Sequence, residues 1–291
     1  MATYREVLNK AKRMTRLKEK ETSATELLML HFSKLEPTEL YLAFDTPMPE
    51  TIEADFYQGL SKYLEKNIPV QQIMGYVYFY GYQFKVTDQA LIPRFETEEL
   101  VANVLIQYDT YFENQSIDVV DVGTGSGCLA IALAKEESRL NVVATDISED
   151  ALALAKENAS LIGADITFLQ GDMLEPVFGR KFDMLVSNPP YIPSDEVVDD
   201  IIMNNEPHIA LFGGKDGLKY IRQIIRDSKK VLKPKAVIAF EHAYDKKDAI
   251  HKIVKEVYPE AEVFTLQDMQ KLDRMTFVVI GFHKNVETSI R

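Results

Sequence analysis

From about residue 96 onward, short apolar runs alternate with helical segments, and few folds accommodate that pattern. The runs cover residues 117–122, 142–145, 166–169, 182–186, 237–240 and 263–266. Strands buried on both faces read as nearly continuous apolar stretches, because helices cover both sides of the sheet they form. The alternation therefore predicts βαβ units around a parallel sheet. A seventh run, residues 276–282, follows the sixth too closely for a crossover helix, so it is expected to pair antiparallel with a neighbour.

Upstream of this region the pattern differs. Ser23-Ala24-Thr25-Glu26 has the spacing of a capping box ahead of Leu27, Leu28, Leu30 and Phe32, and Phe56, Leu60, Tyr63 and Leu64 share one helical face. Residues 1–75 are thus expected to form a small all-helical domain. Between Tyr76 and Thr87 the aromatic and β-branched residues Tyr78, Phe79, Tyr80, Tyr82, Phe84 and Val86 are broken by Gly81, which predicts a β-hairpin linker over 76–90. Residues 91–291 form the larger domain.

Charge narrows the set of partners. The chain of 291 residues carries a net charge of −12 with a pI near 5.0, and residues 1–75 and 76–90 are close to balance, so nearly all the excess lies in the larger domain. A surface that neutralises a phosphate backbone needs clustered Lys and Arg, so nucleic acid is a disfavoured partner. Arg5, Lys10, Lys12, Arg13, Arg16, Lys18 and Lys20 form one basic end, which as a charge run reads first as a solvated helix face. The single cysteine, Cys128, excludes an internal disulfide, and no Cys/His pair has metal-ligand spacing, so no metal is expected. Neither a signal peptide nor a bilayer-spanning run is evident, and the expectation is a soluble, cytoplasmic monomer with no membrane contact.

Two segments carry the chemistry. The strand-like run through Asp121 enters Gly123-Thr124-Gly125-Ser126-Gly127 and then an apolar helix, a tight turn that lets a ligand approach the backbone and the helix N-terminus. Its G-x-G-x-G spacing differs from the dinucleotide fingerprint G-x-G-x-x-G. Asp146 ends the next run, where a carboxylate can accept from both hydroxyls of a ribose, and Asp172 ends the third, where it can read the exocyclic amine of adenine. Asn188-Pro189-Pro190-Tyr191 then decides the chemistry. The prolines stiffen the loop and leave its carbonyls unused by a helix. The side-chain oxygen of Asn188 and the carbonyl of Pro189 can together accept the two N–H groups of a planar –NH2, and Tyr191 can stack on its flat face. Such a grip aims a nitrogen at a methyl donor and raises rate by positioning, without a strong base.

With these segments in place, the chain resembles the class I methyltransferases that modify a glutamine amide of bacterial peptide chain release factors, the PrmC/HemK family. The resemblance extends to Pro69-Val70-Gln71-Gln72-Ile73-Met74-Gly75 with Phe79 and Gly81, to Ile92-Pro93-Arg94-Phe95-Glu96-Thr97-Glu98, and to Glu206-Pro207 with Gly213-Gly214-Lys215-Asp216-Gly217-Leu218. It implies a class I S-adenosylmethionine-dependent fold: a mostly parallel seven-stranded sheet, last strand antiparallel, with a small helical N-terminal domain that docks substrate. It implies conversion of the glutamine in the Gly-Gly-Gln motif of class 1 release factors to N5-methylglutamine, with S-adenosylhomocysteine as product. Gly123, Thr124, Gly125, Ser126 and Gly127 would approach the methionine and ribose parts of the cofactor, Asp146 the ribose, and Asp172 with Met173 the adenine. Asn188, Pro189, Pro190 and Tyr191 would hold the glutamine, with Asn188 also bordering the cofactor. The chain departs from the family pattern at Phe95, where proline is common, at Met173, where an aromatic is frequent, at His242-Ala243 and at Lys271, where glycine is often seen.

Three rival readings fit less of the sequence. An adenine-N6 DNA methyltransferase must flip a base and grip a phosphate backbone, against the acidic balance. A non-catalytic binding module leaves the intact tetrapeptide unexplained. A nicotinamide-dependent dehydrogenase lacks a placed general acid.

Overall fold

The computed structural model describes residues 1–282, so the last nine residues of the expected larger domain lie outside the description. The chain divides into two compact units, one comprising Met1–Val77 with Val198–Asn205, the other Tyr78–Val197 with the chain from Glu206 on. The first unit contains α1 (Tyr4–Leu17), α2 (Thr22–Ser33), α3 (Pro37–Ala43), α4 (Glu50–Lys66) and α5 (Val70–Met74). Val7, Leu8, Ala11, Leu28, Met29, Phe56 and Leu60 pack between the longer helices. Burying each such large side chain contributes roughly 1.5–3 kcal/mol. The segment Val198–Asn205 joins this unit because Ile201 packs on the same core, Gln72 Nε2 donates to the Asn205 carbonyl at 2.7 Å, and Asn205 Nδ2 donates to the Asn67 carbonyl at 2.6 Å. Contiguous reading of the chain leaves that segment with the larger domain.

One local expectation changes, the cap of α2, while the basic end keeps its solvated face. α2 begins at Thr22 with Glu21 at its N-cap, so Ser23 lies inside the helix and makes no cap bond; Thr25 is buried and hydrogen-bonded to Thr15 at 2.9 Å. The capping box belongs to α1, where Thr3 accepts from the Glu6 amide and Glu6 accepts from the Thr3 amide. Much of the basic end is committed within the unit: Arg5 pairs with Asp45, Lys12 with Glu26, Lys18 with Glu65, and Lys20 donates to the Tyr63 carbonyl at 2.7 Å.

The hairpin consists of β1 (Tyr76–Phe79) and β2 (Tyr82–Lys85). Its two-residue turn, Tyr80-Gly81, has φ of 49° and 81°, the conformation that matches strand twist across so short a loop.

The second unit continues through α6 (Phe95–Phe112), β3 (Ile117–Val122), α7 (Cys128–Glu136), β4 (Leu140–Asp146), α8 (Glu149–Ile162), β5 (Thr167–Gln170) and β6 (Phe182–Ser187). The short α9 (Asp200–Met203) belongs to the first unit, and the second resumes with α10 (His208–Leu211), α11 (Lys219–Val231), β7 (Leu232–Glu241), α12 (Lys247–Val257), β8 (Glu262–Gln267) and β9 (Asp273–Ile280). One seven-stranded sheet runs β5-β4-β3-β6-β7-β9-β8, parallel from β5 to β7, with β9 antiparallel to both neighbours. All seven expected strands occur, and the last is antiparallel as its short connection required. Val120, Val122, Leu185, Ile238 and Val278 meet Ile221, Ile224 and Ile225 of α11 and Ile250 and Val254 of α12, while α6, α7 and α8 pack on strands β7, β4 and β5. Strand order reverses between β3 and β6, and in such sheets the loops at the carboxyl ends diverge there and open a crevice.

Candidate active site

That crevice is a cleft lined entirely by the second unit. Of the residues singled out in sequence, Gly123, Thr124, Gly125, Ser126, Asp146, Asp172, Met173, Asn188 and Pro190 line it, whereas Gly127, Pro189 and Tyr191 do not. The loops that follow β3, β4, β5 and β6 line it, because parallel strands send their carboxyl ends to one edge, and the segment from Gln89 to Thr97 closes another side.

The turn after β3 is held by Asp146 at the end of β4. Its Oδ2 accepts from the Gly125 amide at 2.8 Å and its Oδ1 from the Ser148 amide at 2.9 Å. Gly125 sits at φ +55°, and a Cβ there would meet open space, so the backbone itself forms the wall. Gly127 plays a packing part. It caps α7 at φ +82°, and an added Cβ would lie 3.1 Å from Ala155 Cβ of α8.

Asp121 is the residue that sequence reasoning passed over. It is 1% exposed, lines the cleft, and has one oxygen bonded to the Thr124 hydroxyl at 2.7 Å, while Oδ1 has no hydrogen-bond partner among the described residues. Burial, reinforced by the nearby Asp146 carboxylate, pushes its pKa up to about 7. A buried carboxylate oxygen without a partner in the protein calls for one from a water, an ion or a ligand. The Cys128 thiol in the same wall is pushed up to about 12 by burial and stays neutral.

Beyond β5, Asp172 accepts from Gln223 Nε2 at 3.2 Å, and the Met173 carbonyl accepts the Thr145 hydroxyl at 2.8 Å, which fixes Met173 at φ +46° with its apolar side chain in the wall. The wall at this point is apolar without the aromatic of the family pattern. Arg94 and Glu206 close another side. Glu206 is buried; it accepts from Arg94 Nη2 at 2.5 Å and from the Ile92 amide at 3.0 Å, joining the loop ahead of α6 to the loop ahead of α10. Phe95 is the first residue of α6, a position where proline suits a helix, and it is exposed there without disturbing the start.

The loop after β6 begins where the Ser187 hydroxyl ties β6 to the Val122 carbonyl at 2.6 Å. Asn188 Nδ2 donates to Thr97 Oγ1 at 3.0 Å, so its Oδ1 is the end left for a ligand. Among the described residues no backbone N–H bonds the Pro189 carbonyl. Tyr191 donates to Glu241 Oε1 at 3.1 Å, and burial together with that carboxylate raises its hydroxyl pKa well above the ordinary range, which makes it a neutral anchor, not a base. In the sequence Thr97 stands out only as part of the stretch from Ile92 to Glu98, and Glu241, just past the apolar run 237–240, does not stand out at all.

A mostly parallel sheet with this order and an antiparallel last strand, bearing a glycine turn and an Asn-Pro-Pro-Tyr loop on its carboxyl edge, defines a class I methyltransferase. Residues 101–210 match the family described as methyltransferase small domain, and residues 6–75 match the PrmC N-terminal domain. A 16S ribosomal RNA methyltransferase of T. thermophilus, solved with AdoMet and guanosine, superposes with a TM-score of 0.52 at 16% identity over 70% of this chain and 49% of that one. Similarity in sequence goes further. The release factor glutamine methyltransferase of Bacillus subtilis (strain 168) is 40% identical over 91% of this chain and 93% of its own length, and that of Bacillus cereus is 37% identical over 89% and 92%. The chain belongs to the release factor glutamine methyltransferase family.

Proposed function

We propose that this chain methylates the side-chain nitrogen of the glutamine in the Gly-Gly-Gln motif of class 1 release factors, yielding N5-methylglutamine and S-adenosylhomocysteine. The observation that carries the reading is the orientation of Asn188: with Nδ2 spent on Thr97, Oδ1 is left as an acceptor, and the carbonyl of the next residue, Pro189, takes no backbone N–H either, which gives two acceptors for the two N–H groups of one primary amide. Held this way, the amide is oriented before reaction, and freezing an encounter into a fixed geometry supplies rate. An alkylated amide nitrogen is strongly acidic, so its proton leaves to water without a dedicated base.

The cleft fits S-adenosylmethionine, which when bound supplies an electrophilic methyl group. Asp121, whose Oδ1 has no partner in the protein, would pair with the ammonium of its methionine part, the turn from Gly123 to Gly127 would hold the methionine and ribose, Asp146 would offer its remaining lone pairs to the ribose hydroxyls, and Asp172 with Met173 would hold the adenine. Every lining residue comes from the second unit, which leaves the helical unit for docking the protein substrate. Among the described residues no helix is long and apolar enough to cross a membrane; we place the enzyme with its substrate in the cytoplasm.

Purified release factor incubated with labelled cofactor should gain one methyl group, located on the Gly-Gly-Gln glutamine by mass spectrometry. Asn188→Ala should slow single-turnover transfer about a hundredfold, as loss of a preorganised partner does elsewhere. Label on another residue, or transfer by that variant at the parent rate, would overturn the reading.

A further inference from the structure

A side-chain amide has two ends of nearly equal shape, one an acceptor and one a donor. Only one orientation of Asn188 offers an acceptor to a substrate N–H, so something has to fix it. Two bonds in the structure do so, and a third ties Tyr191 to the same carboxylate. Glu241, the last residue of β7, is 1% exposed; its Oε2 accepts the Thr97 hydroxyl at 2.7 Å and its Oε1 accepts the Tyr191 hydroxyl at 3.1 Å. Thr97, in the first turn of α6, is also buried, and its hydroxyl has a single proton. Having given that proton to Glu241, its oxygen can only accept, and Asn188 Nδ2 donates to it at 3.0 Å. With the amide turned over, Oδ1 would face lone pairs and the NH2 would face the substrate's own donor. Burial raises the Glu241 carboxyl above its usual range, while the two hydroxyls and the nearby Arg274 guanidinium favour the anion.

We infer that Thr97 and Glu241 are positioning residues for methyl transfer: their hydrogen-bond relay sets which way the Asn188 amide faces and so leaves Oδ1 as the acceptor for the substrate nitrogen. The inference rests on the assignment of Asn188 to the substrate amide. It also explains why one carboxylate holds both Asn188, through Thr97, and Tyr191: a single buried acceptor sets the first and last side chains of the tetrapeptide. Neither residue touches the reacting atoms in this scheme. Their effect travels through Asn188.

Thr97→Val keeps shape and burial but removes the hydroxyl. At saturating cofactor and release factor, its single-turnover rate should fall about tenfold, the equivalent of one neutral hydrogen bond. Thr97→Ser, which restores the hydroxyl, should recover most of that loss. In the Asn188→Ala background, Thr97→Val should add nothing, because the relay has no amide left to orient. A second readout needs neither cofactor nor substrate: the side-chain NH2 resonances of Asn188, assigned by their loss in Asn188→Ala, should move toward solvent positions in Thr97→Val and return in Thr97→Ser. Parent-like transfer and unmoved resonances in Thr97→Val, or an equal loss in both backgrounds, would overturn the relay. An unimpaired Asn188→Ala would instead overturn the assignment of Asn188 on which it rests.

Discussion

Replacing Asp121 by Asn preserves the shape of a buried side chain and the bond to Thr124 while removing a charge that titrates near neutrality. With the carboxyl pushed up to about 7 by burial, the fraction ionised is roughly one in eleven at pH 6 and three in four at pH 7.5. If the ammonium of the cofactor pairs with the ionised Oδ1, affinity should follow that fraction, a rise of about eightfold, or about 1.2 kcal/mol. The direction follows from linkage: the free protein holds the proton and the complex releases it, so binding strengthens as pH rises through the folded-state pKa. None of the described residues lining the cleft is a histidine, and the Cys128 thiol titrates far above this window. Calorimetric titration with S-adenosylhomocysteine at pH 6, 6.5, 7 and 7.5 should show the rise in the parent and a flat profile in Asp121→Asn, which should bind more weakly than the parent at pH 7.5. A parent affinity that changes less than twofold, or a variant that keeps the slope, would refute the pairing.

Two further outcomes are expected. Asp146→Ala should weaken S-adenosylhomocysteine binding by about 1.5–3 kcal/mol, since it removes the acceptor for ribose hydroxyls and frees the Gly125 and Ser148 amides that shape the turn; titration calorimetry at unchanged circular dichroism checks it. Lys271→Gly should stabilise the fold by about 1 kcal/mol, because Lys271 occupies φ +64° in the turn closed by Asp268; a melting temperature no higher than the parent's would count against that account.

The strands were legible because their signal is local. A run such as residues 117–122 is apolar at nearly every position, and burial on both faces of a parallel sheet is what makes it so. Asp146, Asp172 and Asn188 were legible for the same reason: each follows such a run, and the ends of parallel strands converge on one edge. Thr97 and Glu241 were not, because their contact spans 144 residues and no spacing encodes it. The unpaired oxygen of Asp121 is likewise a property of the packed interior. Ser23 misled because cap spacing recurs by chance, and here burial of Thr25 against Thr15 places the helix start earlier.

The stretch Gly213 to Leu218 shows how a distant motif shapes the site without reaching the substrate. A Cβ at Gly213 would lie 2.5 Å from the Pro190 carbonyl oxygen, and one at Gly217 would lie 2.2 Å from that of Tyr191. Both contacts are with backbone, which cannot swing aside as a flexible side chain does. Gly217 also sits at φ +75°, where an L side chain is strained. Further bonds hold the two loops in register: the Ile192 amide donates to the Leu211 carbonyl at 3.0 Å, and the Gly213 amide donates to the Ile192 carbonyl at 2.8 Å. The tetrapeptide is thus stiffened internally by its prolines, pressed from behind by glycines, and oriented at both ends by Glu241. Three constraints on four residues leave the loop little freedom to adapt, which is what the proposed aiming of an amide requires.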